Sequence, residues 1–160
     1  PEFLGMRYYL LHSLSHLLIN SIAMECGYAA SSIKERIYAP GEEVAGDAAG
    51  VLLYTGTVGS EGTLGGLVAE GRRLHHHMRH AFETASLCSN DPLCGTHNPQ
   101  NDPSDRLLHG AACHGCLLIA ETCCDRRFNR CLDRALVVPV IGQDASLAFF
   151  DPADFGPSFT

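Results

Sequence analysis

The chain has 160 residues, 46% of them apolar, and a formal net charge of −7 with a pI near 5.6. That length and apolar content suffice for one domain with a real core and no need of disulfide staples, and the acidic balance argues against a broad nucleic-acid surface. The longest apolar run, 10–24, is broken by His12, Ser13, Ser15, His16, Asn20 and Ser21 and does not read as a membrane span, and no signal peptide is visible. A reducing cytoplasm and no membrane partner are expected.

Pro1-Glu2-Phe3 reads as a cloning remnant, which makes residues 1–5 remnant and linker, 6–141 a domain excised from a longer protein, and 142–160 a partly docked tail. From Arg7 to about Cys26 the residues Leu10, Leu11, Leu14, Leu17, Leu18 and Ile22 recur at helical steps, and Gly27 sits where a helix stops. Ser31 or Ser32 is expected to cap a short helix running through Lys34, Glu35 and Arg36 to Tyr38 before Pro40. Residues 40–50 are acidic and glycine-rich, a loop. The apolar run 51–55 predicts a buried strand, followed by a glycine loop at 56–66 and one long helix from Leu67 to about Leu87. Turn chemistry fills 88–112, a short helix is expected at 129–134, and 135–140 is a second strand candidate. In the tail, Leu147, Phe149 and Phe150 are the docking candidates. The fold expected is α/β, a small sheet of 51–55 and 135–140 flanked by helices, with an irregular lobe at 88–131.

Cysteines dominate that lobe. Seven of the eight lie between Cys88 and Cys131, and Cys113-His114-Gly115-Cys116 forms a tight pair. In a cytoplasmic chain, spaced thiols favour metal over disulfides, and a Cys-x-x-Cys turn aims two sulfurs at one centre of a structural zinc site. The remaining ligands are sought among Cys88, Cys94, Cys123, Cys124 and Cys131, or His97, His109 and His114. Cys94 and Cys124 are favoured, with Cys88 the competitor. Cys123 and Cys124 are adjacent and cannot both face one ion comfortably, while Cys131 and Cys26 read as packing thiols.

Other constellations have bland readings beside the functional ones. The glycine loop, with Gly59, Ser60 and Gly62, offers amides to an anion, but Glu61 and the missing lysine of a phosphate loop favour a packing turn. His12 and His16 have zinc-protease spacing, yet Ser13 stands where the general base belongs, so they read as polar helix-packing residues. Arg72, Arg73 and Arg79, with their neighbouring histidines, and Arg126, Arg127, Arg130 and Arg134 form basic stripes suited to phosphates or an acidic partner. No nucleophile can be named.

The segments Leu11-His12-Ser13-Leu14-Ser15-His16, Glu35-Arg36-Ile37-Tyr38, Leu53-Tyr54-Thr55 with 60–67, Cys88-Ser89-Asn90-Asp91-Pro92-Leu93-Cys94, Ala111-Ala112-Cys113-His114-Gly115-Cys116-Leu117, Glu121-Thr122-Cys123-Cys124 and Asn129 through Leu132-Asp133-Arg134, spread over residues 8–140, together resemble the MrfA-type zinc-binding domain. This former domain of unknown function occurs in or beside superfamily 2 helicases, and more closely the chain resembles the C-terminal part of the DrmB-type subunit of the DISARM anti-phage system. The resemblance implies one structural Zn2+ on Cys94, Cys113, Cys116 and Cys124, with Cys88 and Cys123 as alternates. It further implies a non-catalytic partner of a superfamily 2 DNA helicase that assists DNA binding. Competing readings are a metal-dependent hydrolase or phosphate-handling enzyme, and a dithiol redox module on Cys113 and Cys116.

Overall fold

In a computed structural model, which describes residues 3–27, 29–40, 48–55, 63–97, 110–125 and 128–156, the chain is organised around one long helix, α1 (Met6–Cys26). Gly27 ends α1 in the left-handed region, at φ 67°, a conformation that a β-carbon disfavours. The leucine stripe expected to carry its packing is only half the story. Leu17, Leu18 and Ile22 of that stripe are buried and Leu10, Leu11 and Leu14 half-buried, but Tyr8, His12, Ser13, Ser15, His16 and Ile19, outside it, are buried as well. The helix is surrounded, with the sheet and the cysteine lobe on the side that carries its polar residues.

The sheet is a single antiparallel pair, β1 (Ile33–Tyr38) with β2 (Gly50–Thr55), in the register Ile33 to Thr55 and Glu35 to Leu53. The strand expected at 51–55 is therefore present, but its partner is the segment expected to be helical. Lys34, Glu35 and Arg36 are good helix formers, yet Ile33, Glu35 and Ile37 point inward by strand alternation, buried beneath α1. Tertiary burial of both isoleucines outweighs the local propensity. A 3-10 turn at Ala30–Ser32 precedes β1.

The long helix expected after the glycine loop is two: α2 (Thr63–Gly71) and α3 (Leu74–Ser86), separated by a turn at Arg72 and Arg73. The amides of Arg72 and Arg73 bond back three residues, to Ala69 and Glu70, and Arg73 then pairs with both Glu70 and Glu25. The break lets α3 pack along α1. A one-turn helix, α4 (Pro92–Gly95), follows.

Two further expectations are corrected. Residues 129–134 are not helical: Phe128, Asn129 and Cys131 have φ of 46°, 62° and 61°. The Asn129 side chain stands in for a strand partner, accepting from the Ile119 amide and donating to its carbonyl at 3.0 and 2.7 Å. Residues 135–140 form no strand; a 3-10 turn (Arg134–Leu136) leads into Val137 and Val138, which are sealed in the core. Their carbonyl neighbours hold the tail instead, through Phe149 N to Leu136 O and Phe150 N to Val137 O.

The tail docks by aromatic rings. Phe150 stacks on Phe82 and Phe155 meets it edge-on, at 5.2 and 5.0 Å between centroids, while Phe149 stays largely exposed. Phe82 also anchors the largest core cluster, with Leu17, Ala85, Leu117, Leu132, Val137 and Val138. Phe82→Ala is expected to cost about 3–5 kcal/mol, read as a lower denaturant midpoint.

Candidate metal centre

Three short segments bring four thiols together. Cys88 follows the end of α3, and Cys94 sits in α4, whose first turn is set by Asp91 accepting from the amides of Leu93 and Cys94. Cys113 and Cys116 lie on one turn, closed by Cys116 N and Leu117 N bonding the Cys113 carbonyl at 3.2 and 3.0 Å. Gly115 in that turn must lack a side chain, because a β-carbon there would overlap Asn90, whose amide bonds the Gly115 carbonyl at 3.1 Å.

The four sulfurs are buried and converge on one point. Cys88 to Cys113, Cys94 to Cys116 and Cys113 to Cys116 are each 3.6 Å apart. A disulfide would need about 2.05 Å. Zinc–sulfur bonds of about 2.3 Å in a tetrahedron place sulfurs about 3.8 Å apart, so the donor set and its spacing both fit Zn2+. Hydrogen bonding from Cys116 is the main influence that lowers Cys94 to about 6, against the opposing effect of burial, with Arg134 adding to it. The same contact with Cys94, together with burial, holds Cys116 well above the ordinary thiol range, and burial raises Cys113. The positive side chain beside Cys94 is Arg134.

Arg134, grouped above in a basic stripe, is fully buried. Its guanidinium donates to the Ala85 carbonyl at 2.6 Å and to the Cys94 carbonyl at 3.3 Å, tying α3 to the metal-side turn.

Cys124 does not join the tetrad; the fourth place is taken by Cys88. The short chain after Cys116 turns toward α1, so Cys124 lies with its sulfur 3.1 Å from His12 Nε2, in a separate buried group with His16 and Glu35. Cys123 faces the Ser31 carbonyl at 3.2 Å, and Cys131 packs with Tyr8 and Ile37. His97 is buried away from the four sulfurs' group and His114 is exposed.

Of the basic residues, Arg72 and Arg130 are exposed. Arg73 is engaged by Glu25 and Glu70, His76 by Glu25, and the buried His77 by Glu70 at 2.7 Å; Arg79 donates to the Phe155 carbonyl. Much of this stripe therefore stitches α1, α2, α3 and the tail together. Arg126, Arg127, His109 and the candidate anion loop at Gly59, Ser60 and Gly62 lie outside the described residues.

A family model described as the MrfA Zn-binding domain matches residues 14–117. The chain belongs to this family. The matched stretch contains all four clustered thiols of this MrfA Zn-binding domain and stops short of Cys124. Over 144 residues the chain is 44% identical to the DISARM protein DrmB of Bacillus paralicheniformis, covering 89% of this chain and 24% of that protein. It thus spans about a quarter of the length of that relative. Among the described residues, no helix of this MrfA Zn-binding domain is long and apolar enough to cross a membrane.

Residue patterning gave a usable signal for Cys88, which shares a motif with Cys94. The signal missed was Glu35: the alternation Ile33, Glu35, Ile37 places a carboxylate on an inward strand face, where an ion needs a partner.

Proposed function

We propose that the chain is a non-catalytic structural-zinc module of a DISARM-type anti-phage defence protein. In this reading Cys88, Cys94, Cys113 and Cys116 hold one Zn2+ that orders the lobe between α3 and residue 134. The observation that carries it is the closed, buried tetrad of thiols. Four sulfur ligands leave no coordination position for a substrate or an activated water, as a catalytic zinc requires. Zinc would supply a rigid cross-link between segments that have little regular structure of their own. The likeness to DrmB supports placing the module in a defence complex.

The finer part of the proposal is that the module helps its parent associate with a superfamily 2 DNA helicase and bind DNA, using exposed cations such as Arg72 and Arg130. The test is DNA binding by the complete complex, measured by fluorescence anisotropy across a salt series. Arg72→Glu with Arg130→Glu is expected to weaken binding equally for unrelated sequences and to flatten the salt dependence. Unchanged affinity and salt slope would sink the DNA-contact reading. Loss of helicase co-purification on substituting the zinc thiols is the expected result for assembly, and full retention would count against it.

A further inference from the structure

On the sheet-facing side of α1, four more ligand atoms meet. His12 and His16 lie one turn apart on α1, Glu35 comes from the inward face of β1, and Cys124 from the turn that follows the Cys113–Cys116 pair. His12 Nε2 is 3.1 Å from Cys124 Sγ and 2.9 Å from Glu35 Oε1, and His16 Nε2 is 3.2 Å from the same oxygen. His12, His16 and Glu35 are essentially without solvent exposure, and Cys124 is buried. We propose that His12, His16, Glu35 and Cys124 form a second metal site, which takes a borderline divalent cation such as Zn2+ and clamps α1 to the sheet and to the cysteine lobe.

Proton accounting supports a cation at the centre. His16 Nδ1 faces the Leu117 carbonyl at 3.0 Å and must carry its proton there, so a neutral His16 turns the lone pair of Nε2 toward a carboxylate. His12 Nε2 faces a carboxylate and a sulfur together, and one N–H serves two acceptors poorly. Hydrogen bonds alone therefore require a doubly protonated His16, which faces an acceptor at each ring nitrogen, and leave the buried His12 Nδ1 without a partner. A divalent ion at the centre takes the two Nε2 lone pairs instead: with two neutral imidazoles, a carboxylate and a thiolate, its charge is balanced.

The surrounding contacts are those that orient metal ligands. The Leu117 carbonyl fixes the His16 ring. Ser15 Oγ and the Asp125 amide donate to the Glu35 carboxylate, and the Asn129 amide donates to Cys124 Sγ at 3.2 Å. Nitrogen, oxygen and a single sulfur suit Zn2+ rather than a hard cation such as Mg2+ or Ca2+. Full burial makes the site a structural clamp.

The test loads the intact chain with zinc, desalts it, and measures metal per chain and X-ray absorption at the zinc edge. The wild type is expected to retain two ions per chain, with nitrogen or oxygen neighbours mixed among a majority of sulfurs. Cys124→Ser and Glu35→Gln should each halve the zinc content and leave neighbours that are sulfur alone. A wild type with one ion and an all-sulfur shell, or variants that both keep two ions, would overturn the site. If the variants do not fold, the wild-type absorption decides by itself. One ion with mixed neighbours would support this site and overturn the four-thiol reading instead, so the two proposals fail separately.

Discussion

Cys88→Ser is expected to remove zinc from the four-thiol cluster, whereas Cys124→Ser leaves that cluster loaded. The two variants discriminate because the sequence pattern favours Cys124 and the geometry favours Cys88, whose sulfur is 3.6 Å from that of Cys113. A serine hydroxyl is a poor, hard replacement for a thiolate on a borderline ion. The segments joined by the cluster are a single-turn helix and a tight turn, so loss of the ion removes most of what fixes them. Destabilisation should exceed about 4 kcal/mol, as expected where a structural metal is lost. The measurements are cobalt substitution, in which the sulfur-to-cobalt absorption of a four-thiolate site disappears for Cys88→Ser and persists for Cys124→Ser, and thermal unfolding with and without chelator. Cys123→Ser serves as a control: its sulfur contacts the Ala30 and Ser31 carbonyls, and zinc should be retained.

Arg134→Met is expected to be nearly as damaging, although Arg134 touches no solvent. Truncating the guanidinium leaves the carbonyls of Ala85 and Cys94 without their donor, at about 1–3 kcal/mol for each buried group left unpaired. It also removes the cation beside a thiolate-rich centre that stays negative even with zinc bound. A total of about 3–5 kcal/mol is expected, in line with breaking a buried charge interaction, together with faster zinc release to a chelator. Arg134→Lys should rescue little, since a lysine presents its donors from one nitrogen and cannot span two carbonyls as the planar fork does. Denaturant midpoints and zinc-release rates measure both effects. Equal stability of wild type and Arg134→Met would show that the guanidinium is not what ties α3 to the metal lobe.

The outcome for the sheet shows how local signals and burial compete. The run Val51-Leu52-Leu53-Tyr54-Thr55 carries a strand pattern that nothing overrides, and it is a strand. Ile33-Lys34-Glu35-Arg36-Ile37-Tyr38 carries two messages at once, helix formers in the middle and apolar alternation at its ends. The alternation prevails because Ile33 and Ile37 reach the core only from an extended backbone. Gly71 and the ion pairs of Arg73 divide a helical pattern that looks continuous in one dimension. At 128–131 the left-handed backbone of Phe128, Asn129 and Cys131 leaves no periodic trace at all.

By itself the sequence determined the metal chemistry, the Cys113 and Cys116 turn, the first helix with its Gly27 stop, and the family. Each of these is encoded in residue types at short spacing, where chain geometry permits few alternatives. Only the tertiary structure decided which distant thiols share a centre. Cys88 and Cys124 are separated from the Cys113–Cys116 turn by comparable uncertainties of loop path; Cys88 follows α3, which packs on α1, whereas the bond from Glu35 N to the Cys123 carbonyl holds Cys124 against the sheet and α1. The packing of α1 on β1 brings His12, His16 and Glu35 together, because helical and strand periodicity each aim them inward, but nothing in sequence spacing says that the two inward faces meet.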